Sequence, residues 1–247
     1  MSDRRFGRLV SARSRSSLTS GRYGGQRMSA LAASGLATTA GGAMDAWVYL
    51  AHGHVLANAQ SGNVVLMSIA LAGEDVARAA THLPSLVAFV TGLLASRLSA
   101  PLLKRKRLNS RNVRLGVECV MLVALGLSAD DMPDWTITAC VGFIAGVQIT
   151  SLSHIGSWSF NTGMMTGNLR AGVSALANAL TGSAEEWSHA ATLLLLCFAF
   201  GAGAAAGAWL TPRLGGATLL PVAVLIAAVI AAGPRGLDPI PDWSDLK

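Results

Sequence analysis

Asp45, Tyr49 and His52 are the ionisable side chains whose spacing best suits chemistry. In an α-helix, residues four and seven positions apart share one face, so the three side chains would project together. A carboxyl, a phenol and an imidazole along one face could relay a proton or hold a cation. The same spacing also suits a structural hydrogen-bond cluster between helices, and the sequence leaves both interpretations open.

Two short polar steps interrupt apolar sequence, namely Ser61-Gly62-Asn63 and Thr166-Gly167-Asn168. Ser61 and Thr166 are predicted to cap the helices that follow, because a hydroxyl can accept a hydrogen bond from a first-turn N–H group. Glycine lets the backbone bend, and asparagine can satisfy backbone groups freed where a helix breaks. In a membrane, broken helices persist only inside protein or beside a cavity. Both steps are therefore candidate walls of a solute site.

Gln148 and Arg170 are the remaining candidate site residues. Gln148 lies before the second step and predicts either interhelical hydrogen bonding or solute contact. Arg170 falls in the first turn of the helix after that step, where the helix dipole disfavours positive charge. We expect it to pair with Asp45, with Glu118 as the second candidate and a solute anion as the third. Alternatively, its long side chain extends to the membrane surface.

These side chains are embedded in a strongly apolar chain. Hydrophobic residues make up 52% of it and charged residues 13%, against about 25% charged in a typical soluble domain. Small apolar residues predominate, which favours an all-α polytopic membrane protein over a β-barrel. The net charge of +6 does not indicate nucleic acid, because most of the Lys and Arg residues lie in two blocks beside apolar segments. Lipid headgroups are the expected partner of those blocks.

Eight apolar segments divide the chain into two series. The segments are 31–57, 61–73, 82–103 and 113–129, followed by 134–157, 164–182, 187–210 and 217–233. A shift of 105 residues superposes Ala40-Gly41 on Ala145-Gly146 and Gly62-Asn63 on Gly167-Asn168. We therefore predict an internal duplication. The predicted divisions are a basic disordered tail at 1–30, repeat A at 31–129, repeat B at 130–233 and a C-terminal tail at 234–247.

The number of membrane passes follows from segment length and charge. Segment 61–73 is too short for the roughly 20 residues that a span requires, so it is predicted to be a half helix. The basic tail and the cluster at 104–107 should both be cytoplasmic, which requires an even number of passes between them. Six spans plus two half helices, with the repeats inverted, satisfy this requirement. Eight full spans are the alternative.

The motifs Gly42-x-x-Asp45-Ala46, Gly146-x-Gln148 and the two polar steps resemble those of the YoaK family of bacterial inner-membrane proteins. The resemblance covers residues 31 to 233. It implies six spans, paired Thr-Gly-Asn motifs and location in the bacterial inner membrane, and it implies no particular activity. Ser61 stands where threonine is usual in that family.

The function predicted from these features is a small-solute transporter or channel-like permease in which paired Gly-Asn broken helices line the path. The alternative is a non-transporting scaffold whose Gly-Asn steps only kink and pack helices. No motif of a hydrolase, metalloprotease or nucleotide-binding loop occurs, so the sequence predicts neither an enzyme nor a metal or other cofactor. Small residues around Gly203 and Gly207 favour close helix packing or a homo-oligomer.

Overall fold

The computed structural model describes residues 29–152, 154–155 and 158–233. Residues 1–28 of the predicted basic tail and the predicted C-terminal tail at 234–247 lie outside the described residues. The described residues are mainly helical, which confirms the predicted all-α class.

Each of the eight predicted apolar segments contains one main helix, and a short ninth helix, α3, was not predicted. The helices are α1 (29–51), α2 (Gln60–Ala72), α3 (Val76–Ala80), α4 (Leu83–Arg105), α5 (Ser110–Ser128), α6 (Asp134–Ser151), α7 (Met165–Leu180), α8 (Glu186–Leu214) and α9 (Leu219–Ala232). Ala129–Asp131 and Gly215–Thr218 form 3₁₀ turns, and β1 (His154–Ile155) pairs antiparallel with β2 (Trp158–Ser159).

Three stretches of the described chain are long and apolar enough to cross a membrane: Val76–Arg105, Ser110–Asp131 and Glu186–Ala232. The third has 47 residues and turns back on itself at Gly215, which has a φ of +52°. Beyond this turn α9 packs along α5 in the opposite direction. The contacts are Leu220 against Gly126 and the Ala223 carbonyl oxygen 3.6 Å from Cys119 Sγ.

Two pairs of parallel helices pack with their backbones in contact. In the first pair, the carbonyl groups of Thr39 and Ala43 on α1 face Gly203 and Gly207 on α8. Each partner advances by four residues, so α1 and α8 run in the same direction. The N–H group of the Trp47 indole closes this interface by donating to the Gly215 carbonyl oxygen at 3.0 Å.

The second parallel pair is α4 and α6, which repeats this arrangement. Here the carbonyl groups of Ser85 and Phe89 on α4 face Gly142 and Gly146 on α6. Glycine is needed at these positions because a Cβ atom would overlap the facing carbonyl group. Both pairs thus gain close van der Waals packing from small residues, as is typical of helices in membranes.

Helices α1 and α6 cross antiparallel at the centre of the molecule. His52 Nδ1 lies 2.9 Å from Asp134 Oδ1 at one end, and Gln148 Nε2 donates to the Ala37 carbonyl oxygen at 3.2 Å towards the other. Between these contacts, the register brings 40–41 opposite 145–146, the two stretches that the 105-residue shift equates. The buried core surrounds this crossing and includes Met44, Trp47, Leu115, Leu122, Ile137 and Ile144.

Candidate functional site

The second polar step lies in an interrupted helix. Cys197 Sγ on α8 is 3.8 Å from the Met165 carbonyl oxygen, and Gly172 packs against Leu193 on the same helix. Helix α7 is therefore antiparallel to α8. Because α8 is parallel to α1 and α1 is antiparallel to α6, α6 and α7 run in the same direction on either side of the break at 152–164.

The asparagine of each polar step clamps the backbone that precedes its helix. Asn63 Oδ1 accepts from the Leu56 N–H group at 2.8 Å, and Asn63 Nδ2 donates to the Leu56 carbonyl oxygen at 2.7 Å. Asn168 forms the same pair of bonds with the backbone of Asn161, at 2.9 and 2.6 Å. Each clamp joins residues seven positions apart in the chain, and both asparagines are buried.

The predicted caps at Ser61 and Thr166 are wrong. Helix α2 begins at Gln60 and α7 at Met165, which places both hydroxyl-bearing residues one position inside their helices, and neither helix has a side-chain bond from its N-cap residue. The chain before α7 is held instead by Asn161 Oδ1, which accepts from the N–H groups of the two residues before Met165.

Asp45 is bound to the loop between α1 and α2 through Asn58. Asp45 Oδ1 accepts from the Asn58 N–H group at 2.8 Å, and Asn58 Nδ2 lies 3.4 Å from the same oxygen and donates to the Gly41 carbonyl oxygen at 3.2 Å. Asp45 is 6% exposed and Asn58 2% exposed. Asn58 Oδ1 is buried without a hydrogen-bond partner and faces Gly163.

Asp45 and Asn58 line a cavity of about 880 Å³ where the two helix breaks meet. Residues 59–61 at the start of α2 and 164–166 at the start of α7 both form part of its wall. Apolar side chains from α1, α4 and α8 complete it, including Leu50, Phe89, Phe200 and Ala204. The polar side chains that line it are Asp45, Tyr49, Asn58, Gln60, Ser61 and Thr166.

Four of the eleven predicted site residues line the cavity: Asp45, Tyr49, Ser61 and Thr166. Gly62 packs against Leu56 instead, and a Cβ atom at Gly167 would meet nothing within 4 Å. Gln148 is fully buried beside α1 and interacts with Glu118. Asn63 and Asn168 bind the backbone of Leu56 and Asn161 in the two clamps.

His52 does not lie on the helical face that its spacing from Asp45 and Tyr49 predicts. Tyr49 is 37% exposed and stacks edge-on against His54. Helix α1 ends at residue 51, and His52 lies in the turn beyond it, where its ring nitrogen meets Asp134. The helical face that the spacing predicts ends before the third residue.

The predicted ion pair between Arg170 and Asp45 is also wrong. Among the described residues, the ion pairs within 4.0 Å are those of His52 with Asp134 and of His189 with Glu186. Arg170 is exposed and borders a second pocket, of about 660 Å³, beside Glu186 and His189. Arg170 is not among the described residues that line the cavity with Asp45.

Asn58 and Gly163 line the cavity but were not among the predicted site residues. A Cβ atom at Gly163 would overlap the side chain of Asn58, so the two residues pack together across the two breaks. They are also 105 positions apart. The shift that superposes the two polar steps would therefore have paired them, had it been applied to the loops before those steps. Among the described residues, no group of three or more His, Cys, Asp or Glu side chains could hold a metal ion.

The fold and site together define a helical protein with apolar helices of membrane-spanning length and a cavity between two helix breaks. Residues 33–232 match the model of a family described as proteins of unknown function, DUF1275. The match covers most of the chain, so the protein belongs to that family. Comparison with curated proteins and with solved structures finds no match.

Proposed function

We propose that this protein is a polytopic bacterial inner-membrane permease that moves a small solute. The cavity of about 880 Å³ between the starts of α2 and α7 is the observation that carries this proposal. Cavities of this size suit small organic ligands. In many transporters, interrupted helices from two inverted repeats form the substrate site. On this proposal the chain catalyses no reaction and its partners are lipids and the solute.

The helix directions support six passes in two inverted repeats. Arg114 Nη1 donates to the Thr150 carbonyl oxygen and Glu118 meets Gln148, so α5 is antiparallel to α6. The direction then alternates along the chain, with α1 and α2 as the first pass and α6 and α7 as the fourth. Each repeat would contribute three passes, one of them interrupted. This topology places the start of α1 and the basic cluster at 104–107 on the same, cytoplasmic side.

The six-pass topology predicts which positions are accessible from outside the cell. Single cysteines at Ser16, Ser110 and Asp131, in a variant without the three native cysteines, can be labelled with an impermeant thiol reagent on intact cells. Only the cysteine at position 131 should react, because it follows α5 at the end opposite the basic cluster. Reaction at position 16 but not at position 110 would instead establish eight passes.

The permease and the scaffold alternative differ in whether the cavity binds a solute. Purified protein can be screened by thermal shift against small anions, organic acids and amines, since a ligand of the folded state raises the melting temperature. A permease should be stabilised by at least one class, and Ala208→Phe, which fills the cavity wall on α8, should abolish that shift. The active compound should then enter proteoliposomes. Stabilisation by no compound, or equal stabilisation of the filled variant, would favour a scaffold.

A further inference from the structure

Among the described residues that line the cavity, Asp45 is the one charged side chain. It is 6% exposed, and no Lys, Arg or His in the described part of the chain forms an ion pair with it. A buried carboxylate within a membrane protein is costly unless an opposite charge or a proton neutralises it. The cavity wall therefore contains a carboxyl group that a positively charged solute would stabilise.

Asn58 holds the carboxylate in the cavity wall and does not itself offer the solute an acceptor. Its Nδ2 donates to the Gly41 carbonyl oxygen and lies 3.4 Å from Asp45 Oδ1. Its Oδ1 has no hydrogen-bond partner, but this atom is buried and faces Gly163, where a Cβ atom would overlap it. The polar contact that the wall offers to a cation at this place is therefore the carboxyl group of Asp45.

Part of the positive end of α2 is already used by the backbone. A helix N-terminus carries roughly half a positive charge, but the N–H groups of Gly62 and Asn63 in α2 bond to the Ala59 carbonyl oxygen. Just before α7, the N–H groups of Gly163 and Met164 bond to the Asn161 side chain. An anion would meet the carboxyl group of Asp45 and, among the described lining residues, no lysine or arginine.

The rest of the wall suits an apolar body. Aromatic rings of Tyr49, Phe89 and Phe200 and the side chains of Met164 and Met165 surround the space. Aromatic faces attract ammonium groups, and methionine adapts to ligands of varied shape. We infer that the cavity takes an organic cation, an amine or quaternary ammonium with an apolar or aromatic substituent. The inference rests on the proposed function, because it assigns a substrate class to the same cavity.

Probes of similar shape that are cationic, neutral or anionic test this inference. The probes are 2-phenylethylammonium, the neutral 2-phenylethanol and the anionic 3-phenylpropanoate, with benzyltrimethylammonium as a second cation. Binding to the purified full-length protein is measured at pH 7 by calorimetric titration. Both cations should bind at least tenfold more tightly than the alcohol, and 3-phenylpropanoate should bind most weakly.

Three variants assign the binding to the cavity. Asp45→Asn should weaken binding of the cations at least tenfold and leave that of the alcohol almost unchanged. Asp131→Asn removes an exposed carboxylate outside the cavity and should change neither. Ala208→Phe, which leaves the carboxylate in place, should weaken all probes and provides the test if Asp45→Asn does not fold.

The remaining outcomes separate this inference from the proposed function. If the alcohol or 3-phenylpropanoate binds as tightly as the cations and Ala208→Phe abolishes that binding, the cavity is a solute site but not one for cations. Cation binding that survives Asp45→Asn would likewise overturn the inference. Failure of both cations to bind the wild-type protein would overturn it too, and the broader thermal-shift screen would then decide whether the cavity binds any solute.

Discussion

Gly203→Ala is expected to lower the free energy of unfolding by about 3 kcal/mol, at the upper end of the usual cost of overpacking. A Cβ atom at this position would overlap the backbone carbonyl group of Thr39 on α1. A carbonyl group in a helix cannot rotate away as a side chain can, so α1 and α8 would have to separate. Separation would also weaken the neighbouring contact between Gly207 and Ala43.

Gly201→Ala is the matched control, because it lies on the same helix and a Cβ atom there would meet nothing within 4 Å. It should be neutral or should stabilise the protein by up to about 1 kcal/mol, since alanine is the better helix former. Unfolding by dodecyl sulfate in mixed micelles, followed by far-ultraviolet circular dichroism, measures both variants. Equal midpoints for the two would show that α1 and α8 are not in backbone contact.

Asn168→Leu and Asn63→Leu are each expected to destabilise the protein by about 2–4 kcal/mol, because each removes two hydrogen bonds to the backbone and leaves buried backbone groups without partners. Asn63 is 1% exposed and Asn168 4% exposed, so water cannot readily replace the lost amide. Leucine has a similar volume, which limits the contribution of a new cavity. The loops before α2 and α7 should also become more open to proteolysis.

Asn178→Leu is the control for the clamps. Asn178 lies on the exposed face of α7, where substitutions usually change stability by less than about 0.5 kcal/mol. Both effects can be measured by the same detergent unfolding, with limited proteolysis as a local readout. Wild-type stability of Asn168→Leu would mean that the clamp does not hold the loop.

The apolar segmentation and the class of protein were determined by the sequence itself. Segments 82–103 and 113–129 correspond to helices Leu83–Arg105 and Ser110–Ser128. These predictions succeed because each residue contributes separately to the free energy of transfer into an apolar environment. Hydropathy along the chain is therefore enough to locate the helices. The 105-residue spacing likewise anticipated that Asn63 and Asn168 would play equivalent parts.

Only the tertiary structure decided which groups meet. Helical spacing places Asp45 on a face but does not say that its partner is Asn58, which lies in a loop beyond the end of α1. Nor does it reveal that a glycine at 163 makes room for that side chain. The contacts that form the cavity join residues far apart in the chain, and they depend on how closely whole helices approach. That distance is decided by packing of small residues at the α1–α8 and α4–α6 interfaces, and local sequence patterns do not contain it.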